Sequence, residues 1–478
     1  MGSKVSIPRG WRESQLQDFC VKIADGTHDS PKKTEFGKLL VTSKNIIGGK
    51  LDLSKSYCIS EQDFHSINRR SKVDRNDVLL SMIGTVGQVC LIESEPDFAI
   101  KNVGLLKNDD QLKASWLYFY LLSPRAQSQI NERLRGTTQQ YLPLGEIRKF
   151  PIIYPESRSV MRDIVGVLAS LQKKIRSNQQ INQTLEQMAQ AIFKSWFVDF
   201  EPVKAKVAAL EAGGTEEDAI MAAMQAISGK DKAQLARFKT EQPDQYNELR
   251  TTAELFPSAM QDSELGEIPK GWVVSSLSDV IHFNPRRKLK KGTVAPYLDM
   301  KNVPTLGHLA NEVHMREMNS GTKFINGDSL LARITPCLEN GKTAFVDFLD
   351  EGQVGWGSTE YIVLRSQEYY PKSLAYFIAR DPYFRQQAIQ SMTGTSGRQR
   401  ANAKALAELP WLSYPSDLVK SFDRVAGSYL KLAKNKGDES RHLEKLRDTL
   451  LPKLLSGETI SGRGNSNQFP LKEGSENV

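Results

Sequence analysis

Two long stretches of the chain place apolar residues at alternating steps of four and three. The second series starts at Val425, 261 residues after Ile164, and repeats the same steps. A repeat of 3.5 residues is typical of helices packed as a coiled coil. The pattern therefore predicts two long helices that pack through these seams. The apolar seam positions are Ile164, Leu168, Leu171, Ile175 and Leu185 in the first helix, with Ala189 and Ile192 continuing the series, and Val425, Tyr429, Leu432, Leu443, Leu446 and Leu450 in the second.

Polar residues interrupt both seams at matching places. They are Asn178 and Asn182 in the first helix and Lys436 and Glu439 in the second, where Gly437 could also bend the chain. Polar seam residues cost stability and can fix the register of a coiled coil. Helices of roughly 35–40 residues would be about 55 Å long, so we expect a spacer. The alternative is that each helix packs only on its own globular domain.

The sequence before each helix is a repeat of the same module. Shared positions occur in the same order, at an offset that drifts between about 250 and 261 as loop insertions would produce. The matches are Ile7-Pro-Arg-Gly-Trp11 with Ile268-Pro-Lys-Gly-Trp272, Asp77–Ile83 with Asp328–Ile334, Tyr118-Phe119 with Tyr376-Phe377, Ser123-Pro124 with Asp381-Pro382, Gly136-Thr137-Thr138 with Gly394-Thr395-Ser396, and Tyr154-Pro155 with Tyr414-Pro415. We therefore expect two similar globular domains.

Short strand-like runs mixed with helical stretches predict an α+β class for both domains. The expected architecture is two similar mixed α/β domains separated by two long antiparallel coiled-coil helices, with a pseudo-twofold internal repeat. The predicted boundaries are 1–157 for the first domain, 158–202 for the first spacer helix, 203–264 for a helical linker, 265–416 for the second domain, 417–456 for the second spacer helix and 457–478 for a disordered tail.

Composition narrows the function only slightly. The 64 basic and 56 acidic residues leave a net charge of +8, which permits binding of a polyanion without requiring it. Four cysteines without CxxC spacing favour free thiols in a reducing compartment. Because no signal peptide or membrane span is apparent, we expect a cytoplasmic protein.

Three local motifs that suggest chemistry are better explained as structure. Asp381-Pro-Tyr-Phe384 is similar to a methyltransferase loop but lacks its second proline, and a helix start with proline in the first turn explains it. Gly341-Lys-Thr343 lacks the upstream glycine of a phosphate-binding loop and predicts a turn before a strand. Ala99 stands where a nuclease would need an acidic metal ligand, and the six histidines show no metal-ligand spacing. We therefore expect no catalytic, cofactor-binding or metal-binding residues in this chain.

Three longer motifs resemble the specificity subunits of type I restriction–modification systems. They are Ala191-Ile-Phe-Lys-Ser-Trp-Phe-Val-Asp-Phe-Glu-Pro-Val-Lys-Ala-Lys206, Glu264-Leu-Gly-Glu-Ile-Pro-Lys-Gly-Trp272 and Leu443-Glu-Lys-Leu-Arg-Asp-Thr-Leu-Leu-Pro-Lys-Leu-Leu-Ser-Gly457. Asp25-Gly-Thr-His28 and Gly84-Thr-Val-Gly87 also resemble loops of the family's target recognition domains. The second domain has no such Asp-Gly-Thr-His loop near position 286, which leaves the loop equivalences open. The resemblance covers about residues 7–457.

The resemblance implies a DNA-binding subunit that is not itself an enzyme. Each domain would read one half of a split, asymmetric double-stranded DNA target, and the helices would set the gap between the halves. Two methyltransferase subunits and restriction endonuclease/translocase subunits would join it and carry out adenine methylation and cleavage. S-adenosylmethionine, ATP and magnesium would belong to those partners, with no cofactor on this chain.

Base reading needs polar side chains on loops, and phosphate binding needs Lys and Arg. Both domains place polar residues in the loop that starts at Gly136 or Gly394, so we favour that loop in each. The candidate DNA-binding residues are Lys32, Lys33, Arg69, Arg70, Thr137, Thr138, Gln139, Gln140, Arg286, Arg287, Lys288, Lys290, Lys291, Ser396, Arg398, Gln399 and Arg400. A solvated charged loop is the alternative for residues 286–291.

Trp196, Phe197 and Phe200 form a dense aromatic group where the first helix should end. They could dock a methyltransferase subunit or cap a core. Two other functions remain open from the residues alone. One is a DNA methyltransferase or nuclease with its own active site, and the other is a coiled-coil scaffold protein without DNA binding.

Overall fold

The computed structural model describes residues 7–54, 56–395 and 397–456. The tail predicted at 457–478 lies outside the described residues. The described chain divides into two compact units. Unit 1 runs up to Arg176 and includes the residues from Arg441 on, and unit 2 runs from Ser177 to Ser440.

Unit 1 contains the first globular domain. Its strands are β1 (Trp11–Gln15), β2 (Lys22–Asp25), β3 (Lys38–Thr42), β4 (Ile46–Ile47), β5 (Lys50–Leu51), β6 (Tyr57–Ile59), β7 (Val78–Ser81), β8 (Val89–Leu91), β9 (Phe98–Lys101), β10 (Val103–Lys107) and β11 (Pro151–Pro155). Its helices are α1 (Leu16–Phe19), α2 (Glu61–Ser71), α3 (Gln111–Leu122), α4 (Pro124–Glu132) and α5 (Leu144–Arg148), followed by the start of α6 (Arg158–Phe197).

The central sheet of unit 1 is antiparallel, with the strand order β2-β10-β7-β8. Successive side chains of a strand point to opposite faces of a sheet. Val78 and Leu80 accordingly join the core that contains α3, whereas Leu79 joins the core shared with the second sheet, β6-β3-β9. Because both faces are covered, β7 is apolar at consecutive positions rather than alternating.

Unit 2 begins with the rest of α6 and a helical insertion. The insertion consists of α7 (Glu201–Glu211), α8 (Glu216–Ser228), α9 (Lys232–Glu241) and α10 (Pro243–Glu254). Thr215 caps α8 by accepting a hydrogen bond from the Asp218 amide, and Gly229 ends the helix with φ 65°. These helices have a small core of their own around Met224 and Leu235.

The second globular domain follows the insertion. Its strands are β12 (Met260–Ser263), β13 (Gly266–Pro269), β14 (Val273–Ser276), β15 (Ile281–Phe283), β16 (Val294–Leu298), β17 (His314–Glu317), β18 (Thr322–Phe324), β19 (Ser329–Ala332), β20 (Thr343–Phe345), β21 (Gly355–Gly357), β22 (Tyr361–Ser366) and β23 (Pro410–Ser413). Its helices are α11 (Leu374–Arg380), α12 (Pro382–Gln390) and α13 (Ala403–Ala407), and α14 (Ser416–Ser456) leads back into unit 1.

The two domains have the same topology. The antiparallel sheet β15-β22-β19-β20 repeats the order β2-β10-β7-β8, and β16 pairs with β21 in parallel as β3 does with β9. The pair β14–β23 repeats β1–β11, and α11, α12 and α13 follow in the order of α3, α4 and α5. The predicted fold class, with its internal repeat, is confirmed.

The helices α6 and α14 pack on each other within each unit, in opposite directions. In unit 1, Ile164 and Leu168 near the start of α6 share a core with Leu451 and Leu455 near the end of α14. In unit 2, Phe193 near the end of α6 lies 5.8 Å from the ring of Phe422 near the start of α14. This arrangement excludes the alternative in which each helix packs only on its own globular domain.

On α6, the predicted seam residues Ile164, Leu168, Ile175 and Leu185 are buried, and Leu171 is half-buried. On α14, the structure differs from the prediction by one residue. Val425, Leu432 and Leu446 are exposed, Tyr429, Leu443 and Leu450 are half-buried, and the buried series is Ala426, Leu430, Ala433, Gly437, Ser440 and Leu451. Small residues dominate this buried series, and small side chains give a weak hydrophobic signal.

Candidate nucleic-acid interface

The polar loop of unit 1, residues 136–140, lies at the end of strand β7. Arg135 and Tyr141 close its base by exchanging two backbone hydrogen bonds of 2.9 Å, and Tyr141 also bridges to Ile83, which follows β7. Gly136 has φ 89°, and a Cβ there would lie 2.5 Å from the Gln139 carbonyl oxygen. The tight closure thus requires glycine and leaves Thr137, Thr138, Gln139 and Gln140 exposed.

Gln139 lines a basic cavity of about 510 Å³ in unit 1. Lys33, Lys44 and Lys101 line the same cavity, and none of its described lining residues is acidic. The ammonium of Lys33 lies 5.1 Å from the centre of the Tyr57 ring, and Lys101 donates a hydrogen bond to Ser30 Oγ. Three lysines beside a polar loop form a surface that can neutralise phosphate groups.

The two arginines predicted on α2 differ in role. Arg70 Nη2 donates to Asp25 Oδ1 (3.0 Å) and to the Gly26 carbonyl (2.8 Å). His28 Nε2 lies 2.9 Å from Asp25 Oδ2. Arg70 therefore fixes the Asp25–His28 loop, whereas Arg69 is exposed, as is Lys32 at the start of the following segment.

The polar loop of unit 2 occupies the equivalent place. Thr393 and Arg400 close it with backbone hydrogen bonds of 3.1 and 2.9 Å. Arg400 also bridges to Ile334, which follows β19 as Ile83 follows β7. The backbone amide of Gln399 donates to Thr335 Oγ1 at 3.2 Å. Ser396 lies outside the described residues.

Of the two arginines on this loop, Arg400 is paired with a carboxylate and Arg398 is not. Arg400 holds Glu360 in a bidentate pair with N–O distances of 2.7 and 2.9 Å, and the hydrogen bonds that Arg400 donates to this carboxylate raise the pKa of Arg400. Arg398 is exposed, and the described residues offer its guanidinium no carboxylate within ion-pair distance. Arg398 is thus available to a ligand, and Arg400 stabilises the loop.

The basic stretch 286–291 also divides into two kinds of residue. Arg287 is only 15% exposed and lies 3.0 Å from the fully buried Asp328, which Arg365 contacts at 2.6 Å. Arg286, Lys288, Lys290 and Lys291 are exposed.

A cavity of about 300 Å³ in unit 2 brings Arg287 together with Lys323 and Arg333. Sequence reasoning missed these last two residues, as it missed Lys44 and Lys101 in unit 1. Each is a single cation among apolar or polar neighbours in the sequence, and only the strand pairing brings these cations together. No local pattern could have identified them.

The aromatic group at the end of α6 is part of the core of unit 2. Trp196, Phe197 and Phe200 are all buried. The ring of Trp196 lies 5.4 Å from Phe256, and that of Phe197 lies 4.9 Å from Tyr414. Of the two roles considered for these residues, core capping is the one that the structure describes.

The motifs that suggest chemistry have structural roles. Asp381 caps α12 by accepting a hydrogen bond from the Phe384 amide at 3.0 Å, with Pro382 in the first turn. Gly341 has φ 73° in the turn that precedes β20, and Lys342 donates to the Met300 carbonyl at 2.6 Å. Both match the structural interpretation of the sequence. Along the described part of the chain, no helix is long and apolar enough to cross a membrane.

Comparisons with known proteins show which proteins this chain is similar to. The model of the type I restriction modification DNA specificity domain matches residues 8–187. The type I restriction enzyme HindI specificity subunit of Haemophilus influenzae is 26% identical over 405 residues, covering 81% of this chain and 88% of that protein. The MjaIX specificity subunit of Methanocaldococcus jannaschii is 20% identical over 95% of this chain and 94% of its own length. The crystal structure of a type I restriction–modification S subunit from M. genitalium aligns with 95% of this chain and 98% of its own, at 14% identity and a TM-score of 0.48.

The chain carries two copies of one α/β module, followed in each case by a long helix. Residues 8–187 match the model of the type I DNA specificity domain, and most of the chain is similar to type I restriction enzyme specificity subunits. Such subunits are non-catalytic, and the catalytic activities of these systems lie in partner subunits.

Proposed function

We propose that each unit reads one half of a bipartite, asymmetric DNA target and so directs adenine methylation and cleavage by partner subunits. One observation carries this proposal. The same polar loop closes at the end of the same strand in both units, each time in a domain with a cavity whose described lining includes basic and no acidic residues. A chain that gripped DNA only once would have no need of two such loops.

The polar loops, called the reading loops from here on, would recognise bases, and the basic cavities would bind phosphate groups. Side chains such as Gln139 and Arg398 have the donors and acceptors that read base edges in the major groove. The lysines around Gln139 would bind phosphates, which position the duplex without reading its sequence. The loop sequences differ, Thr-Thr-Gln-Gln in unit 1 against Thr-Ser-Gly-Arg-Gln in unit 2, so the two halves of the target should differ as well.

The methyltransferase subunits would dock on the outer faces of the long helices. In unit 2, Ile181 and Met188 on α6 are exposed apolar residues seven positions apart, as are Val425 and Leu432 on α14. Unit 1 exposes Val167 and Leu446. A seven-residue repeat is the spacing that a partner helix would match. The restriction subunits would join this complex, with S-adenosylmethionine, ATP and magnesium bound to the partners.

The test is to express the chain with its cognate methyltransferase subunit and to map methylated adenines across a genome. We expect one target made of two defined half-sequences separated by a gap of fixed length. Methylation without a bipartite consensus, or methylation by the isolated chain, would contradict the proposal.

A further inference from the structure

A buried cluster of ionisable side chains lies in unit 2, apart from the basic residues of its reading loop. His308, in the segment between the short helix Met300–Asn302 and β17, is 2% exposed, and Glu186 on α6 is 5% exposed. His308 Nδ1 lies 3.5 Å from Glu186 Oε2, and its Nε2 lies 3.6 Å from Asp347 Oδ2. The imidazole therefore stands between carboxylates from two different elements.

Glu186 is held from two further directions. The hydroxyl of Tyr376 on α11 donates to Glu186 Oε1 at 2.5 Å, and Gln190 Nε2 donates to the same oxygen at 2.6 Å. Arg380 Nε donates to the Tyr376 hydroxyl at 3.1 Å. The cluster thus ties the segment around His308 and helix α11 to α6.

Arg380 extends this network toward the reading loop. Its guanidinium donates to the carbonyls of Thr305 (2.9 Å) and Gly341 (2.8 Å). The turn that ends at Gly341 begins near Thr335, whose backbone amide donates to the Gln399 carbonyl at 3.1 Å. The segment around His308 and the reading loop are therefore connected through one turn.

The charges of the cluster balance only when the imidazole is protonated. The charged groups around it are Glu186 on α6, Asp347 after β20, and Arg380 on α11. On the side of α14, Gly437 meets the neighbouring Leu309 and carries no side-chain charge. Two carboxylates and one guanidinium leave a net negative charge, which an imidazolium cancels. A buried charge without compensation is costly, so protonation of His308 stabilises this packing.

The corresponding contact in unit 1, as far as the structure describes it, is made by a different pair of residues. Tyr118 on α3 occupies the position of Tyr376 on α11, and it interacts with Arg176 of α6. Arg176 pairs with Glu93 of its own unit. Since arginine stays protonated in proteins, this contact is insensitive to pH around neutrality.

We propose that His308 and Glu186 are positioning residues, which hold segment 303–311 of unit 2 on α6 while the imidazole is protonated and release it as the pH rises. For DNA reading, this inference rests on the proposed function. It implies that rising pH relaxes the half of the target read by unit 2 and leaves the half read by unit 1 unchanged.

The direction of the pH effect follows from linkage. Although burial opposes it, Asp347 and Glu186 raise the pKa of His308 above its usual value. Against the effect of burial, the neighbouring imidazole of His308 and the hydrogen bond from Tyr376 lower the pKa of Glu186. A group with a raised pKa in the folded state contributes stability below its unfolded pKa and loses it as the pH rises through the folded value. The packing should therefore weaken above neutral pH.

Hydrogen exchange of the full-length chain tests the packing directly. Between about pH 6 and about pH 9, after correction for intrinsic exchange, the protection of amides in 303–311 should fall severalfold. The His308→Gln variant should show low protection that no longer changes with pH, and Glu186→Gln should reduce the change. His314→Gln, an exposed histidine of the same unit, is the matched control and should keep the full response. A flat profile in the native chain, or an unchanged slope in His308→Gln, would overturn the inference.

Methylation by the assembled complex tests the link to recognition. With substrates altered at one base, tolerance of errors in the half read by unit 2 should rise with pH in the native chain and stay constant in His308→Gln. A pH-dependent exchange profile with unchanged selectivity in both halves would overturn the link to recognition. Loss of sequence-specific methylation at every pH would contradict the proposed function instead.

Discussion

Three of the arginines predicted to bind DNA are tied to carboxylates of their own unit. Arg70 binds Asp25, Arg287 binds the buried Asp328, and Arg400 binds Glu360. Removing one partner of such a pair leaves the other unsatisfied, which costs stability when the site is buried. These arginines shape the surface that would meet DNA, and their exposed neighbours Arg69, Arg286 and Arg398 remain available to bind it.

The arginines also mark a limit of the sequence analysis at the residue scale. Their basic character is visible in the sequence, which therefore predicted Arg398 and Arg400 equally as DNA-binding residues. Their carboxylate partners lie far away along the chain, because Glu360 is 40 residues from Arg400 and Asp328 is 41 from Arg287. Only the pairing of strands decides which arginine is neutralised.

Replacing Arg398 with alanine should relax the choice of base at one position in one half of the target. A bidentate arginine–guanine contact contributes about 1–3 kcal/mol of discrimination. Genome-wide methylation mapping of the complex that contains Arg398→Ala would measure this change. The matched variant Arg400→Ala should instead lower the melting temperature, since it frees Glu360. Equal loss at both halves of the target with Arg398→Ala would reject two separate readers.

Replacing Lys101 with alanine should weaken DNA binding equally for all sequences. A lysine that binds a phosphate releases a counterion, so its loss should reduce the slope of log K against log salt by about 0.9. Titration of DNA at several salt concentrations measures this slope. Lys204→Ala, an exposed lysine on α7, should leave the slope unchanged. A change of sequence preference with Lys101→Ala would show that this residue reads bases.

At the scale of the elements, α14 presents two different stripes. One is buried and rich in small residues, with Ala426, Ala433 and Gly437, and the other is exposed and apolar, with Val425 and Leu432. Both stripes repeat every seven residues, and the exposed stripe lies one position before the buried one. The sequence therefore predicted the helix and its period correctly. The seam was assigned to the wrong stripe because the exposed stripe has the larger apolar residues. On α6 the predicted seam residues Ile164, Leu168, Ile175 and Leu185 are themselves buried and only Leu171 is half-buried, so there the predicted series lies on the buried side.

Leu430 and Leu432 separate the two stripes experimentally. Leu430 is 4% exposed and Leu432 is 43% exposed. Leu430→Ala should lower the free energy of unfolding by about 2–5 kcal/mol, because it leaves a cavity in the core. Leu432→Ala should cost less than about 1 kcal/mol, and it should weaken the complex with the methyltransferase subunit. Denaturant unfolding and co-purification measure the two effects, and a destabilising Leu432→Ala would assign this residue to the buried seam.

At the scale of the whole molecule, the fold is one module used twice, with separate additions. The repeated motifs predicted this duplication because they lie at structural positions that both copies need, such as Asp77 and Asp328 at the start of the central strands β7 and β19. The helical insertion α7–α10 follows only the first copy of the module and its long helix among the described residues. Its capping residue Thr215 and its terminal Gly229 were visible in the sequence, as local signals usually are. The cavities were not, because they depend on long-range pairing.

Two modules that read DNA separately should contribute independently to binding. Gln139 belongs to the loop of unit 1 and Arg398 to that of unit 2, and the two residues share no hydrogen-bond partner among the described residues. Losses in free energy from sites without shared partners add to within about 0.5 kcal/mol. The double variant Gln139→Ala with Arg398→Ala should therefore lose the sum of the two single losses when bound to the full target. On a duplex that carries only one correct half of the target, only the substitution in the unit that reads this half should weaken binding. A coupling well above that margin would mean that the two modules recognise DNA as one surface, and the bipartite reading would have to be abandoned.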